Sequence, residues 1–146
     1  MMTRLHIRFL PALVLLCAQA ALAFLPPSDK QEGVTLRIEG FAEQSTPERF
    51  QAEKVPADQP LAFTVTLVNE RAESVGGTVK VWLNDDWQIV GDDTFTLNAE
   101  PGRSVSVSCT AKAKPTVLNA LYPIHARLAL TLGGRETVLH PIAIFD

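Results

Sequence analysis

The stretch Tyr122-Pro123-Ile124-His125-Ala126-Arg127-Leu128-Ala129-Leu130-Thr131-Leu132 places an apolar side chain at every second position. A period of two sends Tyr122, Ile124, Ala126, Leu128, Leu130 and Leu132 to one side of an extended chain, and His125, Arg127 and Thr131 to the other. That is a strand with one face in a core and one face in water. Gly133-Gly134 follows and reads as a two-residue hairpin turn, since two successive glycines supply the left-handed backbone such turns need. Val138 to Phe145 is the returning strand, apolar on both faces, with Pro141 inside it. Proline has no N–H to give to a ladder, so this strand belongs at a sheet edge or carries a bulge.

The same alternation recurs upstream. Leu61, Phe63, Val65 and Leu67 share one face, with Thr64 and Thr66 on the other. Val34 to Glu39 alternates over six residues. After Gly76-Gly77, residues Val79, Val81 and Leu83 share a face. Asn84-Asp85-Asp86 turns the chain, Trp87 to Val90 resumes it, and Gly91-Asp92-Asp93 turns it again before Phe95 and Leu97. Beyond the Pro101-Gly102 turn, Val105, Val107, Cys109 and Ala111 oppose Ser104, Ser106, Ser108 and Thr110. Lys114-Pro115 ends that strand. Phe41 to Gln59 is a polar connection with Pro47 and Pro56, inside which Arg49 to Val55 is expected to form a short edge strand.

Beyond residue 23, no segment carries apolar residues at the i, i+3, i+4, i+7 spacing of a helix. Seven or eight short strands at turn spacing of about ten residues predict an all-β fold, an antiparallel two-sheet sandwich of immunoglobulin-like type. An up-and-down barrel is the rival architecture. The uneven connections, above all Phe41 to Gln59, favour the sandwich.

The first 23 residues read differently. Arg4 and Arg8 precede the apolar run Phe9 to Ala18, which leads into Ala21-Leu22-Ala23. A basic start, a short apolar middle and small residues at the end describe a secretory signal peptide cleaved after Ala23. The run is shorter than the ~20 apolar residues a spanning helix needs. Cys17 would suit lipid attachment only if a small side chain preceded it, and Leu16 does not fit. The expected organisation is a signal peptide over 1–23, a flexible lead-in over 24–33 and a sandwich domain over 34–146. The expected address is secreted or periplasmic, with no membrane association after cleavage. The apolar finish Ile142 to Phe145 is compatible with a chain cut at the edge of a domain.

Composition narrows the function classes. The leader holds two of the 13 basic residues and none of the 16 acidic ones, so the remainder is acidic, with a net charge of −5. Such a surface repels phosphate backbones, and nucleic acid is not an expected partner. No basic amphipathic helix offers itself to a membrane surface. Cys109 stands alone after the leader, so no internal disulfide forms. It shares a face with valines and is expected in the core as a small apolar side chain rather than as a reactive thiol.

From Val55 to Leu132 the order of features resembles bacterial immunoglobulin-like accessory domains, and most nearly the domain associated with secreted alpha-galactosidases and other glycoside hydrolases. The residues that carry the likeness are a strand ending in asparagine (Leu61 to Asn69), a valine-rich strand leading to a tryptophan (Val79 to Trp87), a Pro-Gly turn before a Ser/Val alternation (Pro101 to Cys109), and Tyr122 opening the next strand. Asn84-Asp85-Asp86 stands where the family has proline and glycine. The resemblance implies an exported, non-catalytic interaction or spacer module, with no catalytic residues and no cofactor. Its partners would be a protein or carbohydrate surface, or adjoining domains of a larger chain.

Three groups of residues compete for a chemical role. Asn84, Asp85, Asp86, Asp92 and Asp93 cluster in two turns, but without the alternating ligands of a calcium loop; Asp and Asn also suit turn geometry for its own sake. With a two-residue turn at Gly133-Gly134, His125 faces Ile142 and lies diagonal to His140, about 7–8 Å between Cα atoms. That pair could begin a zinc or copper site, though no third ligand is evident. Trp82 lies opposite the core positions Val81 and Leu83, so it faces outward beside Lys80, where it could contact a sugar or a protein. Trp87 is expected to pack inward. Neither His125 nor His140 has the neighbouring serine and aspartate of a hydrolytic triad.

Overall fold

A computed structural model describes residues 27–40, 54–84 and 86–146. These residues form ten strands and no helix: β1 (Ser28–Gln31), β2 (Val34–Glu39), β3 (Leu61–Asn69), β4 (Val75–Leu83), β5 (Trp87–Ile89), β6 (Thr94–Ala99), β7 (Ser104–Ala113), β8 (Tyr122–Leu132), β9 (Arg135–Leu139) and β10 (Ile142–Phe145). The expected signal peptide, most of the polar connection and all but the end of the proposed Arg49–Val55 strand lie outside the described residues; Lys54 and Val55 are not in a strand.

The strands make two antiparallel sheets facing one another as a sandwich. One has the order β1-β2-β3-β7-β5; the other runs β10-β8-β4-β6, with β9 also on β8. Alternation explains the layering. Val34, Leu36 and Ile38 of β2, Leu61, Phe63, Val65 and Leu67 of β3, and Tyr122 through Leu132 at even positions of β8 are all buried. Each such aliphatic side chain removed from water contributes on the order of 1.5–3 kcal/mol. The outer face of the first sheet carries a polar network: Thr66 Oγ1 hydrogen-bonds the Glu39 carboxylate and Ser106 Oγ across three adjacent strands.

Two expectations change. The lead-in is not free of structure from Ser28 onward, because Ser28–Gln31 pairs with Val34–Arg37 as β1. Its side chains are mostly exposed, so the strand is held by backbone bonds and lacks the apolar alternation that would reveal it. The last strand is also two strands. Leu132 pairs with Arg135 and Leu128 with Leu139, and His125 pairs with Ile142, all in one unbroken register without a bulge. The carbonyl of Pro141 accepts from the Ala126 N–H (3.3 Å), but proline has no N–H to return, and the ladder lapses there. Pro141 sits on the sheet edge, one of the two positions open to it.

Trp87 ties the sheets together. Leaving β4, the chain crosses to the first sheet, where Trp87 pairs with Ala113 on β7, then returns to β4 as β6. The Trp87 ring meets Phe145 edge-on at 4.9 Å and lies 6.1 Å from Tyr122.

Candidate functional site

The outer face of the second sheet gathers the three singled-out side chains. Register pairs Trp82 of β4 with His125 of β8, and His125 with Ile142 of β10. With Val81 and Ala126 buried, their neighbours Trp82 and His125 must point out of the sandwich. His140 lies between β9 and β10, two residues from Ile142, and so emerges on the same face.

The three rings touch. The His125 imidazole lies parallel to the Trp82 indole, 5° from coplanar with centroids 4.8 Å apart. His140 sits 5.3 Å from Trp82 and 5.2 Å from His125, tilted against both. His125 Nδ1 is 3.1 Å from His140 Nε2, a hydrogen bond in which one ring donates and the other accepts. The diagonal relation expected from a two-residue turn is therefore what forms, with Gly133 and Gly134 both at positive φ. Trp82 is outward, as expected, but only half-exposed, since neighbouring strands supply its cover.

The backbone of His140 is fixed from the other sheet. Its N–H points off the edge beside Pro141 and donates to Asp29 Oδ2 at 2.9 Å. Gln31 Nε2 donates to the Val138 carbonyl nearby. Thus β1 caps the edge that β9 and β10 would otherwise present, which protects it from pairing with another chain. Asp29 carries no sequence signal for this role; its partner is set by how the two sheets meet.

Electrostatics follow from crowding. Partial burial disfavours the charged imidazolium, and the His140 ring adds repulsion, so His125 titrates below its ordinary value. Lys80 and Arg127 face one another across β4 and β8 beside the cluster. Lys80 is paired with Asp93 at 3.3 Å, and Ile142 is 42% exposed, so the cluster has a basic border on one side and an apolar one on the other.

Two of the acidic turn residues have structural partners. Asp93 accepts from Thr94 Oγ1 and pairs with Lys80, which holds its carboxyl below the usual range. Asp86 accepts from Thr116 Oγ1. Asp85 lies outside the described residues. No group of three or more metal-binding side chains occurs among the described residues. Cys109 is buried, and burial pushes its thiol up to about 11. Sequence reasoning passed over what Asn69 does. Its side-chain N–H₂ donates to the carbonyls of Glu73, Ala99 and Glu100, and its Oδ1 accepts from the Arg71 N–H. It is a buried clamp between the β3–β4 turn and the end of β6.

No protein-family model and no curated protein matches the chain. Among solved structures, the chain is similar to a FixG-related protein from Vibrio parahaemolyticus, with 18% identity and a TM-score of 0.49, over 79% of this chain and 96% of that one. It is also similar to the structural-genomics target SoR45, with 11% identity and a TM-score of 0.37, over 81% of this chain and 85% of that one.

Proposed function

We propose that the protein is an exported, non-catalytic interaction module of immunoglobulin-like type, and that its contact surface is the outer face of β4, β8 and β10 around Trp82. The observation that carries this reading is the cluster itself. Trp82, His125, His140 and Ile142 make an aromatic and apolar patch on a sheet face, whereas the middle of the opposite sheet's outer face carries the Glu39–Thr66–Ser106 network, with Val90 exposed at its edge. Half-covered aromatic side chains with exposed apolar neighbours are the usual centres of protein contacts.

The immunoglobulin-like assignment is supported by neighbours in the sheets. β2 lies beside β3 and β3 beside β7 in one sheet, while β4, β8 and the β9–β10 edge adjoin in the other. The Tyr122 hydroxyl donates to the Leu118 carbonyl and accepts from the Leu118 N–H, four residues upstream, as a tyrosine corner does. The order of β5 and β6, which visit opposite sheets in succession, departs from the common pattern. Export rests on the leader, and no helix among the described residues is long and apolar enough to cross a membrane. A sugar-stacking role for Trp82 is the weaker reading, because His125 already lies against one face of the indole.

Two measurements test the proposal. Residues 1–30 fused to a reporter active only outside the cytoplasm should give activity, and an inactive fusion contradicts export. A photo-reactive residue at Ile142 should yield discrete adducts in cells, and one at Lys112 on the opposite sheet should not. Equal patterns at the two positions, or none at either, contradict the assigned face.

A further inference from the structure

We propose that His125 Nδ1 and His140 Nε2 form an open two-histidine site for a divalent late-transition ion, copper(II) foremost. The inference concerns the face assigned above but not the identity of its partner.

Geometry carries it. The two nitrogens lie 3.1 Å apart on adjacent strands. An ion held about 2.0–2.1 Å from each would see them at about 95–102°, between the square and tetrahedral angles. The hydrogen bond of the free pair already brings one nitrogen lone pair toward the other ring. Binding moves the shared proton to the far nitrogen of its own ring, Nε2 of His125 or Nδ1 of His140, so both facing nitrogens donate electron pairs. Between neutral rings no proton need be lost. Turning each imidazole by up to about 40° brings the two lone pairs onto a common point.

The setting holds the ligands in place. Trp82 stacks on His125 and narrows the range of tilts open to its ring. Asp29 holds the His140 backbone, and Pro141 restricts the chain just after it. Side chains already restricted in this way lose less freedom when an ion binds. Among the described residues these two histidines are the protein ligands, with no third beside them. Imidazole nitrogen favours copper over zinc in the usual order of divalent affinities. An ion held by two ligands and open elsewhere suits exchange more than permanent storage.

The test is a copper(II) titration of the purified full chain, read by tryptophan fluorescence and by electron paramagnetic resonance. Trp82 touches both rings, so one equivalent should quench it saturably, and the spectrum should show two coordinated imidazole nitrogens. Zinc, the weaker binder, should relieve the quenching only in large excess over copper. His140→Gln and His125→Gln should each weaken the affinity at least tenfold, whereas Trp82→Phe should keep the two-nitrogen spectrum and lose most of the quenching. Absence of saturable binding, or a two-nitrogen spectrum unchanged in both histidine variants, overturns the proposal. The spectrum of the unaltered protein decides the matter even if a variant folds poorly. Loss of the Ile142 adducts with copper binding intact would instead overturn only the contact surface.

Discussion

His125 Nδ1 and His140 Nε2 are 3.1 Å apart although fifteen residues separate them in the chain. A two-residue turn at Gly133-Gly134 and an unbroken register through Pro141 are enough to bring them together. Trp82, paired with His125 from the other side, completes the group.

The first consequence is a pH dependence of stability in the metal-free protein. The folded His125 titrates below its ordinary 6.5, through partial burial first and the charge of His140 second. The unfolded chain therefore takes up that proton more readily. The contribution is complete above the ordinary value and is lost as pH falls through the lower folded one. Thermal midpoints measured with chelator from about pH 8 to about pH 5 should fall with a steeper slope for the unaltered protein than for His125→Gln. Asp93 is common to both proteins and cancels in the difference. Parallel slopes would contradict the crowded imidazole pair.

Asn69→Leu should destabilise the domain by about 2–4 kcal/mol, since it leaves buried carbonyls and the Arg71 N–H without their partner. Denaturant unfolding measures this through the midpoint. A change within a few tenths of a kcal/mol would mean that water replaces the clamp.

Tyr122→Phe keeps the ring against Trp87 and Phe145 but removes both hydrogen bonds to Leu118. A loss of about 1–2 kcal/mol is expected, with amide exchange of Leu118 accelerated more than that of β8. Unchanged exchange at Leu118 would show that the corner does not hold that loop.

Cys109 should resist alkylation in the native protein and react at once in denaturant, because its thiol is buried and shifted to about 11. Peptide mapping of the labelled chain separates it from Cys17. Rapid labelling of Cys109 under native conditions would place it outside the core.

Gly77→Ala adds a Cβ that collides with the Ala129 carbonyl oxygen on β8. Strands β4 and β8 carry Trp82 and His125, so the expected cost of about 1–3 kcal/mol should come with altered shifts at both rings. Neutrality would mean that the strands part without disturbing the cluster.

Much of this was legible in residue order. Period-two alternation marked β3, β7 and β8, and the glycine pair set the register that places His125 opposite Ile142. Pro141 announced an edge. What stayed hidden depends on partners distant in sequence. β1 is polar, so its pairing leaves no apolar pattern. The crossing of Trp87 into the opposite sheet depends on where two layers meet, as does the bond from His140 to Asp29. Trp82 read as outward from its own strand, but its cover by His125 needed the β4–β8 register, which no local pattern fixes.

The most direct test of the three-ring cluster is a nuclear Overhauser spectrum of the metal-free protein. Contacts are predicted between the indole protons of Trp82 and the ring protons of His125, and between the rings of His125 and His140, with His125 shifted upfield by the stacked indole. Imidazole signals at free-histidine positions, without contacts to Trp82 or to each other, would contradict the account.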